Sequence, residues 1–136
     1  MNHPICIIDD DEDIRGVIEY ALEFENIKTI SFESAELAEE HLSQLLPHDF
    51  PSLIIVDFMM PTMNGVEFIS LLHDKYSETL AKIPLALSTG FLSDHIKIPK
   101  EVIKLDKPID LQDLLELVKK YYPDPDYILD KNSRTL

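Results

Sequence analysis

Acidic, hydroxyl and basic side chains follow four of the five apolar runs in this sequence. Asp9 and Asp10 come directly after the first run, and Asp57 comes after the third. Thr89, preceded by a serine, follows the fourth run, and Lys107 follows the fifth. If these runs are parallel strands, their carboxyl ends meet at one edge of a sheet, where ligands bind in such folds. The sequence therefore predicts one site made of three carboxylates, a hydroxyl and a lysine.

Three carboxylates held together repel one another and raise one another's pKa values. A hard divalent cation relieves that repulsion, and Mg²⁺ binds a few carboxylates while keeping water and phosphate oxygens as ligands. Mn²⁺ suits the same oxygen ligands. A carboxylate beside the cation can attack phosphorus and form an acyl phosphate. Lys107 would then supply positive charge, and Thr89 a hydrogen-bond donor, for the phosphoryl oxygens.

Each of these residues also has a purely structural interpretation. Acidic residues are common at helix N-termini, and we assign Glu12 and Asp13 that role. Taken singly, Thr89 could simply end a strand, and Lys107 could be a solvated loop lysine. The prediction of a site depends on the combination of residues and not on any one of them.

Strand-like runs alternate with helical patterns along the chain, which favours a parallel sheet covered by helices on both faces. Strands are predicted over 4–8, 28–32, 53–56, 84–87 and 102–105. A first helix is predicted from Asp13 to near Asn26, and a second follows an N-cap at Ser34 and stops at Pro47. A third helix should begin at a capping box formed by Asn64 and Glu67 and end near Tyr76. A last helix should run from its cap at Asp110 to Pro123.

The stretch from Phe91 to Glu101 departs from this alternation, because it is short and contains Pro99. We therefore expect the fourth of the five helices to be short or irregular.

Composition narrows the possible partners. The 136 residues carry a formal charge of −14, which repels polyanions, so we expect no direct nucleic-acid partner. Cys6 is the only cysteine, which excludes an internal disulfide. No apolar stretch is long enough to span a membrane, so we expect a cytoplasmic protein with no membrane partner.

We expect one domain over residues 1–122 and a polar C-terminal tail over 123–136, with no output domain.

Four ordered blocks of the sequence resemble the response-regulator receiver domain of two-component signalling. The blocks are IIDDD at 7–11, IVDFMMPTMNG at 55–65, IP at 83–84 with TG at 89–90, and KP at 107–108. The resemblance runs from about Ile5 to Tyr122. It implies an α/β, flavodoxin-like, doubly wound five-stranded parallel sheet with helices on both faces. We expect a stand-alone receiver of the chemotaxis type, and the alternative is a receiver cut from a larger hybrid kinase.

The resemblance implies a metal site at the edge of this sheet. Asp10 and Asp57 would bind Mg²⁺ directly, together with the backbone carbonyl of Met59. Asp9 would act through a metal-bound water.

The resemblance further implies a phosphoryl switch and not an enzyme with an external substrate. Asp57 would be the phosphoacceptor, charged by a phosphohistidine on a sensor histidine kinase or a histidine phosphotransfer protein. Thr89 would donate a hydrogen bond to the attached phosphoryl group, and Lys107 would pair with it. The chain would catalyse only its own phosphorylation and dephosphorylation, and it would signal through contacts with a downstream protein.

One residue departs from the family pattern. The family often has an aromatic residue three positions before the lysine, and here that position is Lys104. The usual coupling between this aromatic and the threonine is therefore not expected in its ordinary form.

Two alternatives to a working switch differ in class. A phosphatase of the haloacid-dehalogenase type would also use an aspartyl phosphate, but it needs an acid two residues after the nucleophile, where this chain has Met59. A degenerate receiver would be a constitutive interaction module, but the five key residues are all present.

Overall fold

The structure is a computed structural model that describes residues 3–90 and 97–122. It contains five strands, all parallel, in one sheet with the order β2-β1-β3-β4-β5. The strands are β1 (Ile5–Ile8), β2 (Thr29–Phe32), β3 (Leu53–Asp57), β4 (Leu85–Thr89) and β5 (Ile103–Asp106). This is the flavodoxin-like, doubly wound order, so the predicted fold class is confirmed.

Four helices cover the sheet in the described part of the chain. They are α1 (Glu12–Phe24), α2 (Ala35–Leu42), α3 (Gly65–Leu80) and α4 (Leu111–Tyr121), with a short 3₁₀ turn at Pro47–Asp49. Buried residues of α2 and α3 form one core with one face of the sheet. Buried residues of α1 and α4 form a second core with the other face. The sheet is therefore apolar on both sides, as continuous apolar strands require.

The helix starts agree with the capping residues read from the sequence. The side chains of Ser34 and Asp110 accept hydrogen bonds from the first turns of α2 and α4. Asn64 and Glu67 form a complete capping box at the start of α3. Because a cap satisfies backbone N–H groups that have no partner within the helix, each of these residues fixes where its helix begins.

Two helix ends differ from the sequence prediction. α2 ends at Leu42, before Pro47, and the proline instead begins the 3₁₀ turn. The regular helix of α3 is interrupted by a non-helical backbone at Tyr76, where the sequence predicted its end, but helical structure resumes and continues to Leu80. Tyr76 is held there by two contacts. Its ring packs edge-on against Phe50, and its hydroxyl hydrogen-bonds Glu39 of α2.

The predicted short or irregular fourth helix falls largely on residues 91–96, outside the described residues. Residues 97–99, which are described, have no regular secondary structure. The expected polar tail at 123–136 also lies outside the described residues. Within residues 3–90 and 97–122, no helix has the length and apolar character needed to cross a membrane.

Candidate functional site

The predicted site residues meet at the carboxyl edge of the sheet. Asp57 and Thr89 are the last residues of β3 and β4, and Asp9 follows β1. Lys107 follows β5, and its backbone N–H donates to the carbonyl of Thr89 at 2.7 Å, which extends the strand ladder by one bond. Strands β1 and β5 lie on either side of the β3–β4 pair. Residues from four distant parts of the sequence are therefore brought to one edge.

Asp9, Asp10 and Asp57 form a compact acidic cluster. One carboxylate oxygen from each residue lies within 4.8 Å of the other two, with Asp9 and Asp57 buried and Asp10 exposed. Burial raises the pKa of Asp57 above its ordinary value, and the charge of Asp10 adds to this, although Lys107 and the backbone N–H of Met59 act in the opposite direction. A buried carboxylate beside two others fits a hard divalent cation, which would neutralise the charge that burial disfavours.

The surroundings of Asp9 also raise its pKa above the ordinary value. Burial raises the pKa of Asp9, the backbone N–H of Asp11 lowers it, and the charges of Asp57 and Asp10 raise it further. That N–H donates to Asp9 Oδ1 at 2.9 Å, which fixes the orientation of the carboxylate.

Lys107 reaches across the sheet edge to this cluster. Its Nζ lies 2.8 Å from Asp57 Oδ1 and 3.7 Å from Asp9 Oδ2. Burial works against the ammonium, but the hydrogen bond and attraction to Asp57, with the charges of Asp9 and Asp10, raise the pKa of Lys107 above its ordinary value. The lysine is therefore charged at neutral pH and bound to the carboxylate predicted to accept the phosphoryl group.

Two hydroxyl groups at the end of β4 have no hydrogen-bond partner among the described residues. Ser88 and Thr89 are both 2% exposed, and their Oγ and Oγ1 atoms are buried. A buried hydroxyl without a partner is uncommon, since leaving it unsatisfied costs about 1–3 kcal/mol. Both are therefore available for a ligand or for a rearranged site.

Arg15 is a site residue that sequence reasoning missed. Its Nη1 donates to the backbone carbonyl of Asp9 at 2.6 Å. Asp11 caps α1 by accepting hydrogen bonds from the N–H groups of Asp13 and Ile14. The loop between β1 and α1 is therefore bonded to α1 both at Asp9 and at Asp11. The only sequence signal was a basic residue one helical turn after the cap.

The loop between β3 and α3 brings the backbone close to Asp57. The Phe58 N–H donates to the Ser88 carbonyl at 2.9 Å, and the Gly65 N–H donates to the Phe58 carbonyl at 3.0 Å. A Cβ on Gly65 would lie 2.6 Å from the Asp57 carbonyl oxygen and 2.6 Å from Leu87 Cδ1. Glycine is therefore required at this position. The Met59 side chain, by contrast, is exposed.

Lys104 lies on β5, where it pairs in register with Leu87 of β4, and its side chain is exposed. An alkyl ammonium thus occupies the position at which an aromatic ring was expected from the resemblance.

The fold and the site together define a phosphoacceptor-type receiver module. The sequence model of the response regulator receiver domain family matches residues 5–119. The polar-differentiation response regulator DivK of Brucella ovis is 31% identical over 133 residues, covering 91% of this chain and 99% of DivK. Sporulation initiation phosphotransferase F of Bacillus subtilis is 27% identical over 126 residues, covering 90% of this chain and 96% of that protein.

A solved structure shows the same fold. A CheY-like response regulator receiver domain protein from Methanospirillum hungatei superposes with a TM-score of 0.73 at 23% identity, covering 88% of this chain and 94% of that one. The chain belongs to the response regulator receiver domain family. It is a response regulator receiver of two-component phosphorelay signalling, and the haloacid-dehalogenase interpretation is not favoured. Receivers are generally switches and not catalysts.

Proposed function

We propose that Asp57 accepts a phosphoryl group from a phosphohistidine in a Mg²⁺-dependent reaction. The observation that carries this proposal is the contact of Lys107 Nζ with Asp57 Oδ1 at 2.8 Å inside a cluster of three carboxylates. A carboxylate oxygen of Asp57 would attack phosphorus, and the bond from phosphorus to the donor's imidazole nitrogen would break, with its electron pair left on that nitrogen.

The acidic cluster is the proposed cation site. Asp10 and Asp57 would bind Mg²⁺ directly with the Met59 carbonyl, and Asp9 would act through a water; Mn²⁺ is a substitute with the same ligand preference. When bound, the cation neutralises the charge that develops on the phosphoryl oxygens.

Lys107 and Thr89 are the proposed protein ligands of the phosphoryl group. The Lys107 ammonium is already at Asp57 and would follow the negative charge onto the phosphoryl oxygens. The Thr89 hydroxyl, buried and without a described partner, would donate a hydrogen bond to one of them.

The proposed donor would dock on an apolar surface beside the site. Val17, Tyr20 and Phe24 lie at helical spacing along α1 and are 54%, 74% and 78% exposed. A cavity of about 320 Å³ continues this stripe and is lined by α1 residues and by residues that include Lys107 and Leu111. A phosphohistidine on a helical partner seated there would lie near Asp57. Such exposed apolar stripes are typical of interaction surfaces.

The chemistry is tested by incubating the chain with acetyl phosphate and Mg²⁺ and measuring intact mass. We expect wild type to gain one phosphoryl group, and we expect none on Asp57→Asn or in excess chelator. A wild-type chain that gains no mass would refute the proposal, as would equal gain on Asp57→Asn.

The docking surface is tested by comparing two kinds of donor. Val17→Glu should slow transfer from a phosphohistidine protein but not from acetyl phosphate. Leu46→Glu is the matched control, because Leu46 is 60% exposed and lies outside the α1 surface. Equal transfer to both variants from the protein donor would exclude this surface.

A further inference from the structure

Arg15 is the only basic residue of α1, and it contacts the loop that carries two of the three clustered carboxylates. Its Nη1 donates to the backbone carbonyl of Asp9 at 2.6 Å. Residues 9–13 are all acidic, yet Arg15 forms no salt bridge with a carboxylate of residues 3–90 or 97–122. The guanidinium therefore holds the backbone of this loop and does not neutralise its side chains.

The other bonds of the loop show which part of it the arginine holds. The Asp9 N–H donates to the Phe32 carbonyl of β2 at 3.1 Å, and Asp9 Oδ1 accepts from the Asp11 N–H at 2.9 Å. Asp11 is in turn the cap of α1. Asp10 is exposed and lies between these two anchored residues. The bond from Arg15 is therefore the one that ties the peptide between Asp9 and Asp10 to the body of α1.

Electrostatic repulsion acts against this arrangement when no cation is bound. The charges of Asp57 and Asp10 both raise the pKa of Asp9, which reports that the three carboxylates repel one another. Because Asp10 is exposed, the repulsion is most easily relieved by moving its loop outward. The bond from Arg15 to the Asp9 carbonyl opposes that movement.

The two common divalent cations differ in how much such movement they tolerate. Mg²⁺ demands near-ideal octahedral geometry with oxygen ligands at about 2.0–2.1 Å. Ca²⁺ accepts more ligands in a flexible arrangement at about 2.3–2.6 Å. A loop that is held in place before the cation arrives therefore favours Mg²⁺, and a loosened loop disfavours Mg²⁺ more than Ca²⁺.

We propose that Arg15 is a positioning residue that holds the loop between β1 and α1 in the geometry that Mg²⁺ requires, and that it thereby gives the site its preference for Mg²⁺ over Ca²⁺. This rests on the proposed function, in which Asp10 and Asp57 bind the cation. Groups that orient metal ligands without touching the metal typically contribute about 10- to 100-fold in metal affinity.

The sign of the effect separates positioning from simple electrostatics. Arg15→Gln removes a positive charge beside a cation site, and that loss alone would strengthen the binding of every cation. It also weakens the hold on the Asp9 carbonyl, which would weaken Mg²⁺ binding in particular. We expect positioning to dominate, so that Arg15→Gln binds Mg²⁺ roughly 10-fold more weakly and loses less affinity for Ca²⁺.

The test uses the full chain and the metals alone. Mn²⁺ binding is followed by the loss of the electron paramagnetic resonance signal of free Mn²⁺, and the affinities for Mg²⁺ and Ca²⁺ are measured by displacement of Mn²⁺. Lys28→Gln is the matched control, because it removes one positive charge from an exposed residue before β2, at the opposite edge of the sheet. This control should bind each cation as wild type does.

Three results would contradict the reasoning, at different levels. Mg²⁺ affinity that is equal or higher in Arg15→Gln than in wild type would overturn the role of Arg15. Equal fold losses of Mg²⁺ and Ca²⁺ affinity would overturn it as well, because they would indicate general damage to the site and no change in preference. If wild type itself binds no Mn²⁺, it is the proposed cation site, and with it the proposed function, that fails.

Discussion

Gly65 is the position at which one methyl group should most directly disturb the site. In Gly65→Ala the new Cβ would lie 2.6 Å from the Asp57 carbonyl oxygen and 2.6 Å from a methyl carbon of Leu87. Real Cβ atoms essentially never come so close, and the carbonyl belongs to the backbone that carries the proposed phosphoacceptor, so the loop must shift. Overpacking of this kind costs about 1–3 kcal/mol. The gain in helix propensity from glycine to alanine offsets at most roughly 1 kcal/mol of that.

Urea unfolding should therefore show Gly65→Ala to be less stable than wild type by about 1–2 kcal/mol. Phosphorylation by acetyl phosphate should slow as well, because the Asp57 backbone is displaced. Gly16→Ala is the matched control, since Gly16 lies on the exposed side of α1 and a Cβ there meets nothing within 4 Å. That variant should be more stable by roughly 0.5–1 kcal/mol. If Gly65→Ala were as stable as Gly16→Ala, the steric reasoning would be wrong.

Three further variants test other features. Asp9→Asn should be more stable than wild type at neutral pH in chelator. Because burial raises the pKa of Asp9, its contribution to stability is present below the unfolded pKa of 3.8 and is lost as pH rises through the native pKa. The free energy of unfolding, measured with urea from about pH 4 to pH 7, should therefore decline less in Asp9→Asn than in wild type. Thr62 has a φ of 74°, so Thr62→Gly should raise the free energy of unfolding by about 1 kcal/mol, and no change would exclude strain there. Tyr76→Phe keeps the ring contact with Phe50 but loses the hydroxyl bonds to Glu39, so thermal unfolding should report a loss of about 0.5–1.5 kcal/mol.

The elements and the acidic cluster were predictable because each depends on a local or periodic pattern. Continuous apolar runs define strands buried on both faces, and the polar residue after each run must lie at the carboxyl edge. That is how Asp57, at the end of β3, and Lys107, just after β5, could be placed together before any distance was known. Ser34, Asn64 and Asp110 were assigned as caps because capping chemistry is local.

The features that the sequence did not predict depend on tertiary contacts, which local sequence patterns do not indicate. The non-helical Tyr76 contacts Phe50 and Glu39, which are distant in sequence, so no local pattern could predict these contacts. Arg15 contributes through a backbone carbonyl, and a carbonyl group has no signature in the sequence. The pairing of Ser88 with Asp57 depends on the register of β3 and β4, which the sequence alone does not determine.

The contact between Lys107 and Asp57 joins two residues fifty positions apart in the sequence, one of them following the edge strand β5. A nascent chain on the ribosome exposes its acid long before its lysine has been synthesised. The carboxylates alone repel both one another and an incoming phosphoryl group. The Lys107–Asp57 contact can therefore form only when the last strand has joined the sheet, so a chain in which β5 is detached has the acidic cluster without its lysine.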